Sequence, residues 1–523
     1  MANKYSSHLY ELINSLTKAE KRYFKVYVTR HTASDSQNNA QILFDAIDKL
    51  KEYDEEILLA QLEEHAFVKK FSIAKARLYD TILKSLDAFY SEKSKEQIIR
   101  NEIHFIEILF EKSLYKQALK RLKSAKKQAQ KYNKKHLYLE ILQWEKKIIE
   151  KDNYQSSSLK SLAHLSKDEQ VLIDSLLINS KLWQLKSILF QKLNRIGRAR
   201  TKEEVNFLKQ DLEPVINSMN IPENKVGLSY LFNHLKGAYY FGIQDNKNSL
   251  STVLKTITLL EKHPNEFGDE PNILISTLTN GVYLSLKNND IKEAQVLYSK
   301  LKLLFEIHKE NGSKDLIIKL KSSLWSIQLL LIKLTCNFSA FDKLQADIIT
   351  FIELNENKIN SSRLAFFYYN LAHILFIQDK FSDSLKWVNK LLNNIAIDES
   401  QEIYSFAELL NLFLHFELKN NELVQYNLKS TRRFLKTRNK LFEYEEVILN
   451  FFSKTTHHSF NRFDLTDHIE NLKYNLLKLD KTEIQQIPME YFECINWAES
   501  KLKQKKLSDI MKEKNKSFSS IQL

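Results

Sequence analysis

No glycine or proline occurs before Gly197, and none lies between Gly312 and Pro488. The whole 523-residue chain holds 7 glycines and 5 prolines, where average usage would supply about 35 and about 25. Sheets with tight hairpins need Gly, Asn or Asp at positive φ. Rossmann and P-loop sites need glycine where backbone meets phosphate. Neither is built in the usual way from such stretches. Helices joined by short polar turns remain.

Other bounds follow from composition. Hydrophobic residues make up 43% and charged residues 27%, ordinary for a folded protein. The length exceeds what one compact core accommodates unless the fold is elongated. Two cysteines, Cys336 and Cys494, exclude a disulfide framework and a four-cysteine zinc site. The N-terminus has no apolar h-region. The densest apolar run, LWSIQLLLIKL from Leu324 to Leu334, is too short to span a bilayer. A cytoplasmic protein is the expectation.

Residues 366–392 read FFYYNLAHILFIQDKFSDSLKWVNKLL. Tyr368, Leu371, Ala372 and Leu375 recur at helical spacing. After the turn QDK, so do Phe381, Ser384, Val388 and Leu391. This is two amphipathic helices joined by a short turn, with small residues at Ala372 and Ser384 for close approach. The pattern N-L-A-x-x-L-F-x-x-D-x-F-x-x-S resembles a tetratricopeptide repeat. Similar shapes occur around Ala118 and Ala294. The K-N-N-acid turn of LSLKNNDIKEAQ recurs in ELKNNELVQY, which aligns Tyr426 with Ala294. Looser copies centre on Ser157, Val205, Leu250 and Phe341. Successive units are 39 to 48 residues apart, longer than the family's usual 34.

The resemblance covers residues 97–480. It implies a right-handed α-solenoid of helical hairpins whose concave surface binds peptide segments or partner helices. By the resemblance alone, Phe366, Tyr369, His373 and Phe376 face that surface. Residues 1–92 read as a separate small helical bundle, with LYELINSLTKAEKRYFKVYVTR as one helix, and suit a helix-turn-helix arrangement. Residues 481–511 supply a capping helix starting at Pro488, which a solenoid needs to shield its last core. A flexible tail is expected from 512 to 523. The fold class is all-α.

Catalytic and metal signatures are missing. His457, His458, Asp464 and His468 are the one metal-like grouping, but a polar loop followed by a helix N-cap accounts for them. No H-E-x-x-H, G-x-S-x-G or P-loop motif occurs. No enzyme activity, metal or cofactor is expected.

Charge is more informative. The net charge is +13, yet residues 1–92 carry a net −1 and residues 93–151 a net +9. Lys116, Lys120, Lys123, Lys127 and Lys131 form a stripe on one helical face, with no acid between residues 112 and 139. Such a stripe suits phosphates, an acidic partner or a solvated outer face. The leading expectation is a scaffold or adaptor that binds protein or peptide partners on a solenoid surface. The alternative is a nucleic-acid-linked regulator that reads DNA through FSIAKARLYDTILKSL, with Lys75, Arg77 and Lys84. The net −1 of that bundle counts against it.

Overall fold

The computed structural model describes residues 4–30, 38–91, 94–155, 157–222, 225–267, 270–394, 397, 402–455, 462–479 and 491–518. Among them the chain is all-α, with no strand. No described helix is long and apolar enough to cross a membrane. Two compact units are present, Met1–Asp174 and Ser175–Leu523.

The first unit contains α1 (Lys4–Ser15), α2 (Lys18–Arg30), α3 (Asn39–Asp48), α4 (Glu55–Gln61), α5 (Phe71–Tyr90), α6 (Lys95–Glu111), α7 (Tyr115–Lys131) and α8 (Lys135–Lys151). Leu9, Ile13, Phe24, Phe44, Leu78 and Ile82 form a core within α1–α5. Residues 9–30, expected as one helix, are two. Thr17 and Glu20 explain the break. The Glu20 amide donates to Thr17 Oγ1, and the Thr17 amide donates to a Glu20 carboxylate oxygen. This reciprocal capping box starts a new helix.

α9 (Leu159–Ile196) contains the division between the units. It is one 38-residue helix. Ser157, where a looser hairpin is expected, lies in the turn before it, and across that turn Tyr138 and Lys146 of α8 donate to Asp168 and Glu169 of α9. The second unit continues with α10 (Lys202–Ser218), α11 (Val226–Gly242), α12 (Asn246–Lys262), α13 (Pro264–Phe267), α14 (Pro271–Lys287), α15 (Ile291–His308), α16 (Lys314–Thr335) and α17 (Phe338–Asn355). Then come α18 (Ser361–Ile377), α19 (Phe381–Leu392), α20 (Glu402–Glu417), α21 (Asn421–Thr437), α22 (Glu443–Thr455) and α23 (Arg462–Leu479). The described chain ends with α24 (Cys494–Lys503) and α25 (Leu507–Lys514).

Hairpins α11–α12, α14–α15, α16–α17, α18–α19 and α20–α21 repeat along the second unit. The first helices pack on one another in the order α14, α16, α18, α20, and the second helices of several hairpins pack on the next first helix. One layer is therefore made of first helices and the other of second helices.

The turns show how hairpins form without glycine. After α14, α18 and α20 the chain enters the left-handed region at Asn289 (φ 59°), Asp379 (φ 60°) and Lys419 (φ 59°). The next amide then reaches back to the last helical turn: Asp290 to Ser285 O at 2.8 Å, Lys380 to Leu375 O at 2.9 Å, and Asn420 to His415 O at 2.9 Å. These are Schellman closures, usually made with glycine. A residue with a Cβ at that φ costs roughly 1–2 kcal/mol. Lys419→Gly is expected to raise stability by about 0.5–1 kcal/mol, measured as a higher urea midpoint at unchanged slope.

Register follows from these turns. Ala118, Ala294 and Ser384 are buried, as the repeat pattern expects. Ser384 Oγ donates to Ala372 O at 2.6 Å, which clamps the two helices of its hairpin. Ser249 makes the same bond to Gly237 O at 3.0 Å, so Ser249, not Leu250, holds the small position. Tyr426 is 72% exposed, while Val424 is fully buried. The left-handed residue is Lys419 here and Asn289 there; aligning the K-N-N-acid letters therefore shifts the register by two.

The layer of first helices curves enough for residues 196–200 to meet α20 and α22. Arg200 donates to both carboxylate oxygens of Glu445, at 2.7 and 3.0 Å, and both side chains are buried. Arg198 pairs with Glu402 at 3.4 Å, and the Lys440 ammonium donates to Ile196 O.

The C-terminal region differs from the expected single helix. α24 stops at Gln504, which is left-handed at φ 52°, and α25 follows with Leu507, Ile510 and Met511 buried. Residue 512 onward, expected as a flexible tail, continues α25 to Lys514. Asn515 then donates to Leu334 O at 3.1 Å. Pro488 lies outside the described residues.

Candidate interaction groove

α18 is buried at every position from Phe367 to Ile377. A helix apolar all round must be covered all round. One side packs within its hairpin, through Tyr368, Leu371, Ala372 and Leu375. The opposite side carries Phe366, Tyr369, His373 and Phe376, the residues expected on an open surface. Tyr369, His373 and Phe376 are instead each 1% exposed. The chain's own residues 491–497 cover them.

The cover is held by rings and by two tyrosine hydroxyls. Phe492 lies 5.7 Å from His373, 5.5 Å from Phe376 and 4.5 Å from Phe413, measured between ring centres. Tyr491 stacks on Phe406 at 4.4 Å. Trp497 meets Phe413 at 4.9 Å edge to face and donates from Nε1 to Glu417 at 2.6 Å. The Tyr369 hydroxyl donates to Tyr491 O at 3.1 Å, and the Tyr444 hydroxyl donates to Phe492 O at 2.8 Å. Burial raises both phenols well above their ordinary range, so both remain donors. Burial, with Lys333 nearby, holds the His373 imidazole well below its usual range. A neutral ring is what an aromatic cluster accommodates.

The same face stays open toward the start of the unit. A cavity of about 340 Å³ is walled by Phe241, Tyr283, Leu330, Lys333, Phe366 and Tyr369, with Tyr491 and Glu493 closing one end. A second, of about 330 Å³, adjoins it; Phe241 and Tyr283 line both, and Phe190, His234 and Thr277 are among the other residues of its wall. The Phe241 and Tyr283 rings meet edge to face at 6.2 Å. The Arg198 guanidinium sits 5.4 Å from the Phe241 ring and 5.9 Å from that of Tyr491. Burial raises the Glu493 carboxyl, and Lys333 opposes that rise. Burial drops His234 to about 4, with Lys186 adding to the shift. This groove is apolar and aromatic, with cations at its edge, and of a size that takes a few side chains of a bound segment. Of the expected surface residues, the structure leaves Phe366 and Tyr369 on its wall and removes His373 and Phe376.

The lysine stripe is where the helical spacing puts it. Lys116, Lys120, Lys123, Lys127 and Lys131 are exposed along α7, opposite buried Ala118, Leu122, Ala125 and Ala129. No ion pair involves these five among the described residues. Lys75, placed on a DNA-reading surface by the alternative expectation, is buried at 9% exposure. It pairs with Glu55 at 2.9 Å, and its ammonium lies over Phe71; Arg77 and Lys84 are exposed. His457 and His458 lie outside the described residues, and so does the Asp464 side chain. Among the described residues no group of three or more His, Cys, Asp or Glu is placed to hold a metal.

No family model matches the chain, and no curated protein or solved structure matches it either.

Proposed function

We propose that the chain is a cytoplasmic protein-interaction scaffold, a tetratricopeptide-like solenoid without chemistry of its own. In this reading, the groove of the first-helix layer holds a peptide or helical segment of a protein partner. The observation that carries the reading is the double role of Tyr369. It walls the open cavity and also binds the backbone of Tyr491. The face thus already holds one aromatic segment of the chain, Tyr491 to Trp497, and the adjoining stretch offers the same kind of wall. Shared hairpin layering supports the tetratricopeptide likeness.

The test is site-specific photo-crosslinking in lysate. A photoreactive residue at Tyr283 is compared with one at Leu303, 61% exposed in the second-helix layer. The reading expects a protein captured at Tyr283, absent at Leu303, and lost when Phe241→Ala is added. Equal capture at both positions, or capture indifferent to Phe241→Ala, counts against it.

A further inference from the structure

A larger trough lies elsewhere in the second unit. It encloses about 780 Å³ between the end of α10, at Met219–Ile221, and α12. Its floor is apolar, with Phe232 of α11 and Leu250 and Leu254 of α12. Along the rim of α12 run Lys247, Lys255 and Lys262, all exposed. None of the three makes an ion pair among the described residues, and no Asp or Glu lines the trough. Ser251 and Thr258 fill the positions between them.

We propose that this trough is a docking surface for an acidic amphipathic helix of a partner protein. Spacing and charge both point there. At 1.5 Å per residue, the three lysines stand about 12 and about 10.5 Å apart along α12, and the whole row spans about 22 Å, four helical turns. A helix lying alongside repeats one flank every seven residues, about 10.5 Å. Acids at heptad spacing on that flank therefore meet the lysines in turn. Its adjacent apolar stripe covers Phe232, Leu250 and Leu254, as helix-in-groove binding requires. A nucleic-acid strand satisfies the lysines but leaves that floor uncovered, and the rim has no arginine to fork onto phosphate. The trough shares only Asn233 with the groove of the first-helix layer, so either surface stands or falls without the other.

The probe is a fluorescein-labelled three-heptad peptide with glutamate on one flank and leucine on the adjoining face. Its twin carries glutamine for glutamate, and a single-stranded oligouridylate serves as competitor. Anisotropy is measured with the full chain. The proposal expects saturable binding that weakens at least tenfold for the glutamine twin and for the Lys247→Glu, Lys255→Glu, Lys262→Glu variant. Leu254→Asp weakens it as well. The Lys116→Glu, Lys120→Glu, Lys127→Glu variant carries the same change in net charge and keeps full binding. All substituted lysines are exposed, and dichroism verifies that each variant is folded. Absence of saturable binding overturns the proposal, as does equal affinity for the glutamine twin or equal loss in both lysine variants. Oligouridylate binding abolished by the α12 variant, with peptide binding unaffected, overturns it in favour of a nucleic-acid surface.

Discussion

Arg200→Ala is expected to destabilise the second unit by about 3–5 kcal/mol, because the Glu445 carboxylate would be left buried without its partner. The two oxygens accept from both terminal nitrogens of Arg200, and the guanidinium also lies 4.1 Å from the Phe442 ring. Glu445 is 0% exposed, so solvent reaches its carboxylate only if the packing opens. The double variant Arg200→Met, Glu445→Leu should recover most of the loss, since removing both charges also removes their desolvation cost. Urea unfolding followed by near-ultraviolet dichroism reads both. A single variant within about 1 kcal/mol of the parent, less than a buried charge should cost, would show that the pair is solvated and that residues 196–200 do not dock on α22.

Removal of residues 491–523 is expected to abolish cooperative folding of the second unit. The deletion uncovers Phe376, Phe406 and Phe413, each buried. It also takes the acceptors from the Tyr369 and Tyr444 hydroxyls, two hydrogen bonds worth about 0.5–1.5 kcal/mol each. Trp497 is 1% exposed; Trp497→Ala alone should cost about 3–5 kcal/mol. The truncated chain should keep its helical far-ultraviolet signal, lose near-ultraviolet structure and bind a hydrophobic dye. A truncated protein with parental melting and no dye binding would falsify the account of the cover.

The all-α fold was legible from glycine and proline because their absence removes most other architectures. The hairpin spacing was legible because buried small residues such as Ala118, Ala294 and Ser384 mark the turn side of each second helix. Registers failed where letters and backbone disagree: Asn289 and Lys419 take the same left-handed role within similar K-N-N strings. The capping pair Thr17 and Glu20 was readable as T-x-x-E, but the apolar residues on either side continue across it. Long-range pairs left no local trace. Arg200 and Glu445 are separated by 245 positions, and nothing in either neighbourhood names the other. The cover over α18 had a signal: Tyr491, Phe492 and Trp497 are too aromatic for a helix meant to show a polar face. Which side of α18 they cover depends on the curvature of the first-helix layer, and composition does not encode that.

The central claim is that the aromatic face of α18 and α20 is closed by the chain's own C-terminal segment, leaving the Phe241–Tyr369 groove as the open part. The two cysteines of the unmodified chain test it most directly. Cys494 lies in that segment, and Cys336 lies just after α16; both are free and buried. Burial raises Cys494 well above its ordinary range and Cys336 to about 12, so neither supplies thiolate at about pH 8, where an open cysteine reacts. Native protein mixed with dithionitrobenzoate should release no chromophore until it unfolds, with both thiols then appearing at the unfolding rate. Prompt release of one equivalent, mapped to Cys494 while Cys336 stays silent, would mean that the segment does not cover the face.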